Sequence, residues 1–294
     1  MKRIINYKTF VNESSGASTL TTEQIDFLNR YVRGKWKLNN DGVVDVDGDF
    51  NCFNKGLSDF KEIKFGKVTG YFDCSKNNLT SLEGSPKKVG VDFYCSHNKL
   101  TSLEGAPIEV YRSFDCKGNK LTSLEFGPKK VEGNFICSIN KLTSLEFGPK
   151  GVPGTFNCSF NKLTSLEFGP KEVGSSFNCS FNNLTSLEFS PEKVDVDFYC
   201  SNNKLTSLEG VPKEIGGYFW CSYNVGLSTD IINLIFRKMI KYRSDYKTVL
   251  KSLWKEISIE DKILLYSSDL DWIEEDEAAK LAKLKKYSNI KKMI

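Results

Sequence analysis

Nine cysteines carry the largest potential for chemistry in this sequence, and they form a regular series. After Cys52 come eight cysteines at intervals of 21 residues: Cys74, Cys95, Cys116, Cys137, Cys158, Cys179, Cys200 and Cys221. So many thiols could form disulfides in a secreted protein, and four convergent thiolates could bind zinc. A row repeated at one period points one way, however, and does not converge on a metal ion. We therefore expect buried free thiols that pack as small hydrophobic groups, which favours a reducing, cytoplasmic compartment.

Histidine and acidic residues offer little further chemistry. His97 is the only histidine, so a Ser-His-Asp or Cys-His catalytic centre would depend on it. It lies two residues after Cys95, at a position that varies along the chain, with no evident nucleophile or carboxylate. The acidic run at 45–49 has its glycine in the wrong place for a calcium loop, which favours a solvated strand entry. We expect no enzyme activity, no cofactor and no metal, because no phosphate-binding or metal motif appears.

The cysteines belong to a repeated unit, of which residues 156–176 (FNCSFNKLTSLEFGPKEVGSS) are one copy. Phe156 and Cys158 alternate with polar residues, which predicts a short strand with both side chains facing inward. Asn161 follows the strand. A buried amide at this point can bond the backbone of the turn and the next asparagine in the series.

The rest of the unit supplies apolar bulk and a return segment. Leu163 and Leu166 are apolar, while Pro170 and Val173 are placed to close the convex side. Proline at a fixed phase suits an extended segment that need not donate hydrogen bonds. A constant period of 21 residues is typical of a solenoid, in which each coil buries its apolar side by stacking on its neighbours.

The frame F-x-C-x-x-N-x-L-x-x-L resembles the leucine-rich repeat over about residues 50–227, with Phe and Cys in two leucine positions. The sequence motif NKLTSLE followed by proline is similar to short repeats of secreted bacterial effectors and of many phage-encoded proteins. One departure is that Val173 stands four residues before the next phenylalanine instead of three. The resemblance implies a right-handed solenoid with a parallel β-sheet on its concave face, and protein binding as its role. Some similar effectors carry a C-terminal ubiquitin ligase with a cysteine nucleophile, but no cysteine follows Cys221 here.

These patterns predict an α/β solenoid, a leucine-rich-repeat array with a cap at each end. Residues 1–48 are the predicted N-terminal cap, with a helix at about 21–32 followed by a strand. Thr21 and Gln24 occupy capping-box positions of that helix. Residues 49–227 are predicted to be nine coils, and residues 228–294 a C-terminal α-helical cap domain.

In the C-terminal region proline and glycine vanish and apolar residues take helical spacing. Helices are predicted at about 229–241, 244–256, 258–266 and 269–287. Their expected core, which would cover the end of the array, is Ile231, Leu234, Ile235, Met239, Leu250, Leu253, Trp254, Ile263 and Leu264.

Binding residues are expected in two outward columns of the concave face, which vary between coils. The central part should be an exposed apolar strip, and exposed aromatic patches mark interfaces. The strip is predicted at Ile136, Ile139, Phe160 and Phe181. The whole predicted partner-binding set is Tyr94, Asp115, Ile136, Ile139, Asn157, Phe160, Asn178, Phe181, Tyr199, Trp220 and Tyr223. The alternative is that the C-terminal helices fold back over these residues.

A second apolar column alternates with glycine in other coils, and we expect it to fill a widened convex core. Its members are Phe126, Phe147, Phe168 and Phe189.

The sequence thus predicts a non-catalytic protein-interaction module that is encoded by a phage or bacterium. It would act as an inhibitor of a host protein or as an adaptor for it. A phage virion component is one alternative, and glycan binding by the concave aromatic residues is another. Nucleic-acid binding would use basic segments at the two ends, but the concave columns are neutral to acidic, so we do not expect it. Those basic residues are Arg30, Arg33, Lys35, Lys37, Lys283, Lys285, Lys286, Lys291 and Lys292. The net charge of +4 is not diagnostic. No secretory signal and no membrane span is expected, because no apolar run is long enough.

Overall fold

The computed structural model describes residues 19–206, 208–224, 246–255, 257, 262 and 273–291. It begins with helix α1 (Thr22–Tyr31), whose predicted capping box is confirmed. Thr21 Oγ1 accepts the Gln24 backbone N–H at 3.2 Å, and Gln24 Oε1 accepts the Thr21 N–H at 2.9 Å. An antiparallel hairpin of β1 (Val32–Leu38) and β2 (Val44–Asn51) follows. The helix packs on the first coil, since the Phe27 ring centroid is 5.9 Å from that of Phe50.

The array itself is a solenoid of parallel strands in two rows. We call the first row the phenylalanine ladder: β4 (Phe72–Asp73), β6 (Phe93–Tyr94), β8 (Phe114–Asp115), β10 (Phe135–Ile136), β12 (Phe156–Asn157), β14 (Phe177–Asn178), β16 (Phe198–Tyr199) and β18 (Phe219–Trp220). We call the second row the valine ladder: β3 (Phe65–Val68), β5 (Lys88–Val89), β7 (Glu109–Val110), β9 (Lys130–Val131), β11 (Gly151–Val152), β13 (Glu172–Val173), β15 (Lys193–Val194) and β17 (Glu214–Ile215). Strands pair in register with their counterparts 21 residues away, so the predicted repeat architecture is confirmed.

Strand β2 belongs to both rows. Its first half pairs with β3, through Val44 and Val46, and its last two residues pair with β4. The four-residue spacing between valine and the next phenylalanine did not predict how this segment pairs with neighbouring coils. In the structure the segment forms the parallel strand pairs of the valine ladder.

The valine ladder is interrupted once, between β9 and β11. In the following coils the residue after the valine donates its N–H to the valine carbonyl of the preceding coil, as Gly174 does to Val152 at 3.0 Å. Pro153 occupies this position in β11's coil and has no N–H to donate to Val131. The break therefore coincides with a residue that cannot donate a backbone hydrogen bond.

The core is a set of stacked columns. Consecutive phenylalanines of the first ladder stack with ring centroids 4.6–5.7 Å apart. All nine cysteines are free and buried, as expected. Burial raises the pKa of Cys52 to about 12 and that of Cys158 well above its ordinary value. The thiols are therefore protonated packing groups; Cys158 Sγ contacts the Asn178 carbonyl of the next coil at 3.4 Å.

The asparagine column ties each coil to the one before it. Asn161 Nδ2 donates to the carbonyls of Cys158 and Cys137, at 3.0 and 3.1 Å. Its Oδ1 accepts the backbone N–H of Leu142 at 3.0 Å. The predicted bond to the turn is confirmed, whereas the predicted bond to the next asparagine is wrong, because the backbone occupies the amide.

The acidic run in β2 is less solvated than expected. Asp45 Oδ1 accepts the backbone N–H of Lys67, and Asp49 Oδ1 accepts that of Tyr71, each at 2.9 Å. These carboxylates bond the first turn of the array to the cap, which gives them a structural role.

Two helices are described in the C-terminal region, α2 (Tyr246–Leu253) and α3 (Glu275–Lys291). Leu250, Leu253 and Trp254 are buried, as predicted. The predicted helix at 229–241, most of the one at 258–266, and the remaining core residues lie outside the described part. Those residues are Ile231, Leu234, Ile235, Met239, Ile263 and Leu264. Among the residues described, no helix is long and apolar enough to cross a membrane.

Candidate functional site

The outward column two residues after each cysteine lies in the left-handed region of backbone space. Its non-glycine members have φ between 53° and 58°. The ladder continues through these residues, since Phe160 N donates to Ser180 O at 3.0 Å. Each residue therefore continues the inter-coil hydrogen bonds beyond the end of its strand while its side chain points outward. Asparagine and glycine tolerate this conformation, but it is rare for a bulky or β-branched side chain.

Three neighbouring coils nevertheless place large apolar side chains there. Ile139, Phe160 and Phe181 have φ of 54°, 54° and 57° and are 43%, 49% and 43% exposed. The Phe160 and Phe181 rings stack with centroids 4.0 Å apart and an interplanar angle of 9°. We call these three residues the aromatic strip. The structure brings them together as predicted, whereas Ile136 is half-buried beside them.

The polar members of the other outward column are occupied within the chain. Oδ1 of Asp115, Asn157 and Asn178 accepts the backbone N–H two residues further on, at 2.8, 3.0 and 3.0 Å. Such local bonds hold the bend at the end of a strand. Burial raises the pKa of Asp115, and the backbone N–H of Lys117 opposes that rise. These three side chains therefore stabilise the backbone of the outward face, and their Oδ1 atoms already accept hydrogen bonds within the chain.

The predicted flanking aromatic residues fall into two groups. Tyr199 Oη donates to Asp197 Oδ2 at 2.8 Å and is half-buried. Burial, with the charge and hydrogen bond of Asp92, raises the pKa of Tyr94 to about 12. Trp220 and Tyr223 are 50% and 78% exposed. The first two are held in place by carboxylates, while the last two present free aromatic surface.

The second phenylalanine column is on the surface, so the prediction that it fills a convex core is wrong. Phe126, Phe147, Phe168 and Phe189 have φ of 64–66° and are 42–54% exposed. Lys150 Nζ lies 5.5 Å from the Phe168 ring centroid and bonds the Phe168 carbonyl at 3.0 Å. The sequence contained a signal for this surface position, because other coils have glycine at the equivalent position and glycine favours positive φ. Gly84, which is equivalent to Phe126, has a φ of 83°.

His97 is exposed, in the same left-handed column as the strip. The described residues contain no cluster of three or more His, Cys, Asp or Glu side chains that could hold a metal ion.

No family model and no curated protein matches this sequence. Among solved structures, the chain is similar to YopM from Yersinia enterocolitica WA-314, with 22% sequence identity and a TM-score of 0.38. The match covers 56% of this chain and 42% of YopM, so the chain spans less than half the length of that protein.

Proposed function

We propose that this chain is a non-catalytic binding module that holds a protein partner on the aromatic strip of its phenylalanine ladder. One observation carries the proposal: Phe160 and Phe181 stack face to face on the surface, in a backbone conformation that disfavours them. Residues held in sparsely populated backbone regions cost on the order of 1 kcal/mol or more, and they cluster at functional sites. The other coils place Asn54, Lys76, His97, Gly118, Asn202 and Tyr223 at this position, also with positive φ.

The physical case rests on what the strip would gain on binding. Each large apolar side chain that becomes fully buried contributes roughly 1.5–3 kcal/mol relative to an exposed one. The three side chains sit on hydrogen-bonded ladders, so little further ordering opposes association. Trp220 and Tyr223, both exposed, supply residue types that are common in interface hot spots. A protein with a complementary apolar patch is therefore the best-fitting partner.

The compartment and the biological role belong to the same proposal. Nine buried thiols suit a reducing cytosol, which supports a cytoplasmic partner. In a bacterial cell this partner would be a host protein that the module inhibits or links to another. Nucleic acid fits less well, because the aromatic strip carries no basic side chain.

Affinity capture from bacterial lysate tests the proposal with two matched double variants. Phe160→Asp/Phe181→Asp should lose a partner that the wild type captures, because two carboxylates would have to be desolvated at the interface. Phe168→Asp/Phe189→Asp changes the same residue type in the other exposed column and should retain the partner. Circular dichroism would establish that both variants fold. Equal capture by the wild type and the first variant would overturn the assignment.

A further inference from the structure

Strand β1 lies at the N-terminal end of the array, and one of its two edges is unpaired. It pairs antiparallel with β2, and no other strand of the described residues pairs with it. The N–H groups of Val44 and Phe50 in β2 point away from β1, to the carbonyls of Lys64 and Tyr71. In an antiparallel pair, the residue opposite such a residue also points its backbone groups away from the partner strand.

The free edge of β1 therefore carries the backbone groups of Gly34, Trp36 and Leu38. All three stand opposite residues of β2 that bond to the array. Outside the pair of β1 and β2, the described part of the chain contains no partner for the backbone N–H and C=O groups of these three residues. An unpaired edge of this kind is a template for one further strand.

A row of positive charge runs along the same strand. Arg33, Lys35 and Lys37 alternate with the residues of the free edge, and their side chains are exposed. None of the three takes part in an ion pair with another described residue. We call these three residues the basic row.

The aspartates opposite the basic row are bonded elsewhere. The register places Asp45, Asp47 and Asp49 of β2 opposite its three members. Oδ1 of Asp45 and of Asp49 accepts a backbone N–H of the first coil at 2.9 Å, and Asp47 Oδ1 accepts the Thr69 hydroxyl at 3.2 Å. These donors all lie on the side of β2 that is remote from β1. The carboxylates thus offset the basic row from that side only, and the free edge stays positive.

Strand β2 shows which kind of strand fits beside β1. It begins with valine and aspartate in alternation, and its valines are buried. The valines share a face with Trp36 and Leu38, which pack half-buried against the core. A strand of the same alternation on the free edge would place carboxylates beside the basic row and apolar side chains beside Trp36 and Leu38.

We propose that the free edge of β1 binds an extended segment of a partner polypeptide in which carboxylate and apolar side chains alternate. Backbone hydrogen bonds to the edge supply affinity, and the basic row supplies specificity. A second copy of β1 fits poorly, because two basic rows would stand opposite each other and like charges there destabilise a sheet. The aromatic strip contributes no residue to this edge, so the site is independent of the proposed function.

An NMR titration of the ¹⁵N-labelled chain with a heptapeptide of alternating valine and aspartate tests the proposal. The amide signals of Gly34, Trp36 and Leu38 should shift saturably and gain protection from hydrogen exchange. The amide of Lys35 faces β2 and should keep the protection it already has. The same peptide with asparagine for aspartate should bind at least about threefold more weakly, because each opposite-charge pair across two strands adds to stability.

Two further peptides, N-methylated on one or the other alternate set of amides, separate strand pairing from charge attraction. At least one of them should lose binding, since methylation removes the donors that face β1. Undiminished binding of both would overturn the proposal. So would single-stranded oligothymidine that shifts the same three signals at lower concentration than the aspartate peptide, because the basic row would then be a nucleic-acid site.

Variants of the basic row test the charge preference. Lys35→Gln/Lys37→Gln should weaken binding of the aspartate peptide by at least about twofold and leave the asparagine peptide unaffected. Lys99→Gln/Lys120→Gln removes two exposed lysines of the array and is the matched control, which should bind as the wild type does. Equal affinity of both double variants for the aspartate peptide would sink the assignment. A dimer of the wild type in sedimentation velocity that the peptide dissociates would assign the edge to a second copy and overturn the proposal.

Discussion

The Oδ1 atom of Asn161 accepts the backbone N–H of Leu142, in the preceding coil, at 3.0 Å. The same amide donates to carbonyls of both coils, so one side chain satisfies backbone groups of two neighbours. This arrangement recurs along the array, and it makes the asparagine column a cross-link between coils.

Replacing Asn161 by alanine should lower the free energy of unfolding by about 2–4 kcal/mol, because several buried backbone groups lose their partner at about 1–3 kcal/mol each. Urea denaturation followed by circular dichroism measures the change. Asn183→Ala is a suitable control, since Asn183 lies outside this column, and it should stay within about 0.5 kcal/mol of the wild type. A loss as small as that of the control would show that the cross-link contributes little.

Alkaline pH should destabilise the array through its thiols. Burial raises the pKa of Cys52 from 9.0 to about 12, and it also raises the pKa of the other cysteines. The unfolded chain then releases these protons from about pH 9, while the folded chain keeps them. Stability is unaffected below pH 9 and falls above it, by up to about 1.4 kcal/mol per pH unit for each thiol.

Urea midpoints measured from about pH 7 to pH 10.5 would give the slope, since this range spans the ordinary pKa of a thiol. The variant Cys137→Val/Cys158→Val removes two of the nine buried thiols. It should show a shallower alkaline slope than the wild type, whatever its stability at neutral pH. Parallel slopes would mean that other groups cause the alkaline loss.

Ile139→Asn should raise the free energy of unfolding by about 0.5–1 kcal/mol, because asparagine tolerates the left-handed backbone that a β-branched side chain resists. Asn54 and Asn202 already occupy this position in other coils. The same change should weaken partner binding, since it removes a member of the strip. Ile136→Asn, three residues earlier and in an ordinary strand conformation, should bring no gain. Destabilisation by Ile139→Asn would show that apolar contacts of Ile139 outweigh its backbone strain.

Asp197→Asn should lower the pKa of Tyr199. Burial is the main cause of the raised pKa of this phenol, and its hydrogen bond to Asp197 and the charge of that carboxylate add to it. Asparagine retains an oxygen for the Tyr218 backbone N–H, which Asp197 accepts at 2.7 Å. Titration of ¹³Cζ-labelled tyrosine by NMR would report the shift. Asp195→Asn changes a carboxylate that pairs with Lys193 and should leave Tyr199 unaffected.

The period of the sequence was enough to predict the coils, the inward faces of Phe156 and Cys158, and the capping box of α1. These features depend on side-chain type at a fixed phase, which a repeat displays directly. The two columns of residues with positive φ were harder to predict. The alternation of apolar and polar residues indicates which face a side chain lies on, but it does not indicate the sign of φ. Phe168 was consequently misplaced, although glycine in other coils marked the position.

The break in the valine ladder between β9 and β11 shows a different limit. Pro153 is visible in the sequence as a residue that cannot donate a backbone hydrogen bond, but the open space above Gly151 depends on that glycine lying between Lys130 and Glu172 of the neighbouring strands. That relationship exists only once strands 21 residues apart are adjacent. The partner of the aromatic strip is likewise absent from the sequence, because the chain carries only one half of an interface.

Strand β2 joins the N-terminal hairpin to both ladders, and this has a consequence for biosynthesis. Later strands pair with neighbours 21 residues away, so each coil finds a finished template just behind it in the chain. Chains fold as they leave the ribosome, and contacts of short sequence separation form fast. We therefore expect the hairpin to act as the template on which the array forms during translation, one coil at a time.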